Sequence, residues 1–414
     1  MALLWLRSRI RLAAATNDPA MVAIRNLVAA GDIARAAARL NTAYHFDNSP
    51  GLLALRQFSL TVLRQGLRER SIFERCFAAC ALAGSGEEEG VKLLVETFER
   101  NPNLSVKMAV ADGLGEDGDR RAVQVLSALY HAARPYEQRI IVEGLASATD
   151  PSAVTVLMEA SRASERMVRL EALRSLGPLG NRRAIPLLHQ VLVSKERDAF
   201  ERVMAARSLL LMGDKSGVPY LRAMVGDRSQ GTYERAVAAA ALGFASDPSA
   251  VPVLKLALAD HELEVRIGAA AALTHYREPA GAEYLKHALA NADYMTRLEI
   301  SELFGDLDAV SGSAVVLAGL YSNYGAVRLA AIKALAAGHS ERNAELLDAL
   351  ARDSDDATLR AEVAWALGRI GSPGSIPTLL ELVQEQDPMI RYTAADGLNR
   401  IATRLLRARS RWLI

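Results

Sequence analysis

Apolar positions along this chain repeat on two scales. Locally they fall at the three- and four-residue spacing of helices, as in Val265–Leu273 (VRIGAAAAL), with small alanines filling the gaps. Over longer range one apolar residue keeps returning: Leu82, Leu114, Leu145, Leu176, Leu209, Leu242, Leu273, Phe304, Leu335, Leu367 and Leu398, at intervals of 31–33 residues. A fixed period of that size marks stacked supersecondary units.

Each unit reads as two helices. The first runs from a basic residue to the recurring leucine, and the second follows a turn, as in Ser249–Ala259 (SAVPVLKLALA). The turns carry Gly, Asp and Pro, as in Ser246-Asp247-Pro248 and Ser372-Pro373-Gly374. Proline suits the first position of a helix, where its missing N–H would be unpaired in any case. The glycine after the leucine (Gly115, Gly177, Gly243, Gly305, Gly368) is expected to end the first helix in a left-handed conformation. One helix pair cannot bury its own apolar stripe, so neighbours must stack.

A second ladder accompanies the leucines. Seven residues before them stand Arg75, Lys107, Arg169, Arg202, Arg235, Arg266, Arg297, Arg328, Arg360 and Arg391, and only Gln138 interrupts the row. A cation in the first turn of a helix opposes the helix dipole, so a compensating partner is required. Asp198, Asp227, Asp260, Asp293, Asp353 and Asp387 lie a few residues upstream. Because acids recur with the bases, Arg235, Arg266, Arg297, Arg360 and Arg391 are expected to form a structural ladder, bonding aspartates or helix-end carbonyls and joining adjacent units. A basic track for nucleic acid is the competing reading.

The repeat, VR-x-x-A-x-x-AL-G followed by D/S-P-x-A-[VI]-P-x-L, stands most clearly in Leu359–Leu380, Met167–Leu188 and Tyr233–Leu254. It resembles HEAT repeats, most closely the short HEAT-like repeats of the phycobilisome-lyase type. The resemblance implies an all-α, right-handed α-solenoid of about eleven helix pairs with helical caps. It also implies a curved surface for protein partners. Some members of that group instead handle bilins, hydroxylate a modified lysine or excise damaged bases. The expected organisation is a helical cap over 1–70 with room for one diverged repeat, the solenoid over 71–402, and a basic cap or tail over 403–414.

Composition narrows the function classes. The chain has 414 residues, 50% hydrophobic and only 5% aromatic, which suits alanine-lined helix packing rather than one large core. Net charge is +1, which offers no global case for nucleic acid. The charge is uneven, however: with +6 over 1–70 and +4 over 402–414, the intervening 71–401 stands at −9. Cys76 and Cys80, four apart on a helix, share a face and are too few for a zinc site. No apolar run reaches membrane-spanning length, and a cytoplasmic location is expected.

The basic ends are the candidate docking segments. Met1–Leu12 (MALLWLRSRIRL) carries Trp5, Arg7, Arg9 and Arg11, and Ala402–Ile414 (ATRLLRARSRWLI) carries Arg404, Arg407, Arg409, Arg411 and Trp412. Two readings stand. The segments cap the terminal repeats with their leucines and keep the arginines in water, or the arginines dock an acidic partner or an anionic membrane surface.

No catalytic constellation emerges. The seven histidines are scattered, and only His261-Glu262 has the form of a His-Glu ligand pair of a di-iron site, which needs several such pairs. Trp365 beside Glu362 offers the aromatic–acid pairing of a base-excision pocket but reads better as packing. The glycines fit helix ends rather than a phosphate loop. The sequence therefore points to a non-catalytic, protein-binding scaffold or adaptor with no metal, no cofactor and no nucleic-acid partner. Alternatives are a bilin- or phycobiliprotein-handling protein of the lyase or chaperone kind, and a HEAT-like nucleic-acid binder.

Overall fold

The computed structural model describes residues 18–117, 120–146, 148, 150–303, 313–338 and 340–411. Among them the protein is all α, with twenty-four α-helices and no strand. Three helices open the described chain: α1 (Pro19–Ala29), α2 (Ile33–Ala43) and α3 (Ser49–Gly66). Helix pairs follow: α4 (Ile72–Gly84) with α5 (Glu88–Arg100), α6 (Leu104–Asp117) with α7 (Arg120–Ala132), and α8 (Pro135–Ala146) with α9 (Ala153–Ala160). Next come α10 (Arg166–Leu179) with α11 (Ile185–Val193), α12 (Ala199–Leu211) with α13 (Val218–Gly226), and α14 (Thr232–Ala241) with α15 (Val251–Ala257). The series continues through α16 (Leu263–His275) with α17 (Pro279–Asn291), α18 (Tyr294–Glu302) with α19 (Ser313–Leu320), and α20 (Gly325–Ala337) with α21 (Glu341–Asp353). It ends with α22 (Ala357–Ile370), α23 (Ile376–Leu382) and the long α24 (Pro388–Arg411). The last helix runs without interruption through the boundary expected near 402.

The recurring leucines sit in the core. Leu82, Leu114, Leu145, Leu176, Leu209, Leu242, Leu273, Leu335, Leu367 and Leu398 are all buried. Phe304 lies outside the described residues. Their burial repeats because first helices pack on first helices of neighbouring units: α6 on α8, α8 on α10, α10 on α12, and α14 on α16.

The glycines that follow some of these leucines do a different job from the one expected. They do not end their helices. A Cβ on Gly115 would lie 1.8 Å from the carbonyl oxygen of Gly144, and one on Gly144 would lie 2.4 Å from that of Ala111. These residues are glycine because α6 and α8 approach backbone to backbone. Gly177, Gly243 and Gly368 face the next first helix in the same way, while Gly305 lies outside the described residues. The left-handed residues stand three places further on, as at Gly180 (φ 64) and Gly371 (φ 77).

The chain forms two compact units, residues 97–331 and residues 1–96 with 332–414. In the second of these the early and late parts of the chain pack together: α24 lies against α3 and α22. Tyr392, 1% exposed, donates its hydroxyl to Glu69 at 2.5 Å, and burial pushes that hydroxyl's pKa up before the Glu69 carboxylate raises it further. Asn399 Nδ2 donates to Ser85 Oγ at 2.7 Å.

Candidate functional site

The ladder residues reach backward along the chain, across the turn that precedes their own helix. Arg169 Nη1 donates to the carbonyls of Ala163 and Ser164 at 3.0 and 2.6 Å. Arg202 Nε donates to Leu192 O at 3.0 Å, and Arg266 Nη1 to Asp260 O and His261 O at 2.7 and 2.9 Å. Arg297 reaches Ala292 O and Ala290 O at 2.8 and 3.1 Å, and Arg391 reaches Glu385 O at 2.8 Å. Each cation thus leaves the unfavourable start of its own helix and sits against the carbonyls around the end of the previous one, where positive charge is favoured. Gln138 follows the same geometry with a neutral amide, donating to Tyr130 O at 3.3 Å.

The carboxylate partners come from the following unit, not from the aspartates just upstream. Arg169 Nε pairs with Glu201 at 2.6 Å, and Arg360 with Glu385 at 2.8 Å. Arg235 pairs with Asp260, with both side chains almost fully buried. Three of the six upstream aspartates instead accept backbone N–H groups at helix starts: Asp198 from Glu201, Asp293 from Thr296, and Asp387 from Met389. Asp260 and Glu385 work twice. The carboxylate of each holds the arginine of the preceding unit, while its carbonyl accepts from the arginine of its own unit. Burial pushes the Asp260 pKa up, but the Arg235 guanidinium and the Glu262 N–H outweigh it and hold the carboxyl below its usual range.

A row that sequence reasoning missed stands two residues before the ladder. In residues 97–331 that register holds Tyr136, Met167, Phe200, Tyr233 and Met295, each in the first turn of a first helix, and is interrupted by Ser105, Glu264 and Ala326. Tyr136 is 50% exposed, Met167 56%, Tyr233 64% and Met295 59%, while Phe200 is buried beneath its neighbour. The row is continuous where rings meet: the Phe200 and Tyr233 centroids are 5.0 Å apart. Tyr294, beside Met295, meets Tyr324 at the same separation, and the Arg297 guanidinium lies 5.2 Å from the Tyr324 centroid. In residues 1–96 and 332–414 the same register places the exposed Phe73 and Met389. The 31–33-residue period would have exposed this row, since it shares the register of the ladder.

Of the proposed docking residues, Trp5, Arg7, Arg9, Arg11 and Trp412 lie outside the described residues, as does the side chain of Arg411. Arg404 Nη1 donates to Ile370 O, the end of α22, at 2.5 Å. Arg409 donates to the backbone carbonyl of Asp47, and Arg407 is exposed. Trp365 is half-buried with the Arg369 guanidinium 5.2 Å from its ring centroid. His261 is exposed in the turn before α16, its Nε2 3.2 Å from Glu262. Among the described residues no three His, Cys, Asp or Glu side chains gather as a metal-binding group. No described helix is long and apolar enough to cross a membrane.

Known families place this geometry. A family model described as HEAT repeats matches residues 60–146, 127–202, 228–303 and 313–399, most of the chain. The chain belongs to the HEAT-repeat family. HEAT repeats generally mediate protein interactions, and this chain is an all-α HEAT-repeat scaffold. No curated protein matches the sequence. Among solved structures, the CpcE–CpcF complex of phycocyanin lyase from Nostoc sp. PCC7120 is similar, with 24% identity, 55% of this chain and 94% of that one covered, and a TM-score of 0.44. Human deoxyhypusine hydroxylase shows 20% identity over 61% of this chain and 97% of its own, with a TM-score of 0.32. An engineered protein shows 20% identity over 83% and 98%, with a TM-score of 0.31. Likeness at this level brings no activity to this HEAT-repeat chain.

Proposed function

We propose that this HEAT-repeat chain is a non-catalytic adaptor that holds a protein partner on the aromatic–methionine row of residues 97–331. The observation that carries the reading is the exposure of Tyr136, Met167, Tyr233 and Met295 at one repeated register. Tyrosine and methionine are enriched where proteins meet. A tyrosine ring gives a large contact at small entropic cost and keeps a hydroxyl for the wet rim. Methionine adapts its shape to the partner. The arginine ladder beneath the row is tied to carbonyls and carboxylates, so it serves as a rigid base for the contact rather than as a track for phosphates.

The test is a variant carrying Tyr136→Ser, Met167→Ser, Tyr233→Ser and Met295→Ser. These side chains are exposed, so the melting temperature is expected to stay within a few degrees, about the scale of surface substitutions. Partners recovered by quantitative affinity capture with the intact chain are expected to be lost. Recovery at the intact level by a folded variant would refute the assignment of this row.

For the basic C-terminal segment we propose capping rather than docking. Support comes from Arg404 and Arg409, which donate to the backbone carbonyls of Ile370 and Asp47. Arg407→Glu with Arg409→Glu is then expected to leave binding to anionic vesicles unchanged, and a salt-sensitive loss would favour docking.

A further inference from the structure

The last turns of α24 stand beside an apolar recess of about 300 Å³. Asn41, Phe46 and Asp47 wall one side, from the end of α2 and the loop after it. Pro373, Ile376, Pro377 and Leu380 wall the other, from the start of α23 and the turn before it. Five of these seven side chains are apolar. Ile376 and Leu380 are buried, Phe46 is half-buried, and the two polar ones, Asn41 and Asp47, are exposed. A space of this volume is at the small end of binding pockets, so it takes a side chain or two rather than a folded partner.

Both walls are tied to α24. Arg404 Nη1 donates at 2.5 Å to Ile370 O, three residues before Pro373, and Arg409 donates to the carbonyl of Asp47, itself a wall residue. Trp412, Leu413 and Ile414 lie outside the described residues. They are wholly apolar, and Trp412 follows Arg409 by three residues. Three residues span about 5 Å as helix and about 10 Å extended. The tryptophan is therefore tethered within reach of the recess. Trp5, in Met1–Leu12, is the rival. A tie on that side is Asp18, which accepts from the Tyr44 hydroxyl and stands thirteen residues after Trp5. The longer tether costs more entropy to close.

We propose that Trp412 fills this recess, so that the apolar stretch Trp412-Leu413-Ile414 fastens α24 to the α2–α3 loop. An indole brings a large apolar body with one N–H. Asn41 Oδ1 and the Asp47 carboxylate can accept that N–H from the exposed side of the recess. The inference rests on the capping reading of the basic segment and goes beyond it. Arg404 and Arg409 hold the backbone on either side, and the ring supplies the apolar anchor between them.

The experiment uses two full-length chains with a single tryptophan. One keeps Trp412 (Trp5→Phe, Trp365→Phe) and the other keeps Trp5 (Trp365→Phe, Trp412→Phe). Emission from Trp412 is expected at shorter wavelength than that of free tryptophan and shielded from acrylamide. Pro377→Glu then puts a charge on the wall. The position is exposed and an acid is favoured at a helix start, so the fold is kept, which circular dichroism melts check. Pro373→Glu is a second variant of the same kind. Either is expected to move Trp412 emission to longer wavelength and to raise its quenching. Vesicles of phosphatidylserine and phosphatidylcholine are expected to leave that emission unchanged. Emission like that of free tryptophan, or emission unmoved by both wall variants, would overturn the proposal. So would a response to these variants from Trp5 alone. If Trp412 is exposed and indifferent to vesicles, only this inference falls. A shift of Trp412 emission to shorter wavelength on adding vesicles would overturn the capping reading with it.

Discussion

Among the described residues six turns place a left-handed residue four positions after the spine leucine: Gly86, Gly180, Gly213, Ser246, Arg277 and Gly371. Four are glycine, which adopts positive φ without penalty. Ser246 (φ 45) and Arg277 (φ 57) hold the same position with a side chain. An L residue there costs roughly 1–2 kcal/mol. Ser246→Gly and Arg277→Gly are therefore expected to stabilise the chain, each by about 1 kcal/mol after the entropy that glycine adds to the unfolded chain. Denaturant midpoints read this directly, and an unchanged or lower midpoint for Arg277→Gly would show that its side chain holds something the turn needs. Glycines elsewhere act by space. Gly66 is one: a Cβ there would lie 2.5 Å from that of Ala78 and 3.1 Å from the Tyr392 ring. Both kinds of glycine look alike in a sequence. The spacing Leu–Gly–x–x–Gly, visible at Leu176–Gly180, separates them only once the packing is known.

Among elements, the Arg235–Asp260 pair is the joint most exposed to a simple test. Arg235 is 2% exposed and Asp260 7%, and the guanidinium also contacts Val225 O. Removing one partner leaves a buried charge unpaired, at a cost of about 3–5 kcal/mol. Arg235→Ala is expected to lose stability on that scale, whereas Arg228→Ala in the exposed turn of the same unit should lose little. The pair also gives a pH signature. The carboxyl of Asp260 titrates lower in the folded chain than in the unfolded one. Its contribution is thus fully present above the unfolded value of about 3.9 and is lost as pH falls through the depressed folded value. The stability gap between the intact chain and Asp260→Asn should be constant near neutrality and shrink in that acid window. A gap that widens on acidification would contradict the assignment.

The ladder was readable as a row of bases seven residues before the leucines, and so was the need for partners. Which partners was not readable. The nearby upstream aspartates are the obvious candidates, whereas the carboxylates that bind stand 25 to 32 residues downstream, and helix caps claim three of the six upstream aspartates. The aromatic–methionine row keeps the same register but is mixed in chemistry and is broken by Ser105, Glu264, Ala326 and Thr358. Tyr136, Met167, Phe200, Tyr233 and Met295 share a position rather than a residue type. A search for catalytic motifs passes over such a row.

At the scale of the whole molecule, the early and late segments of the chain share one compact unit, with α3 covered by α24. Solenoid ends expose unpaired apolar faces and need covers, and here each supplies cover to the other. Ending the chain at Asp387 is expected to uncover this interface. In a Cys80→Ser background, Cys76, 1% exposed on α4, should then react with a thiol reagent that leaves it untouched in the full-length chain. Equal reactivity in both would show that α24 is dispensable to that unit.

The adaptor reading is tested most directly by site-specific photo-crosslinking in the native host. Benzoylphenylalanine replaces Tyr233 on the aromatic–methionine row in one protein and Leu256 in another. Leu256 is 76% exposed but stands on the second helix of its pair, away from that register. The account predicts a discrete protein adduct from position 233 and none from 256. Adducts from 256 alone, or none from 233 in a folded protein, would contradict it.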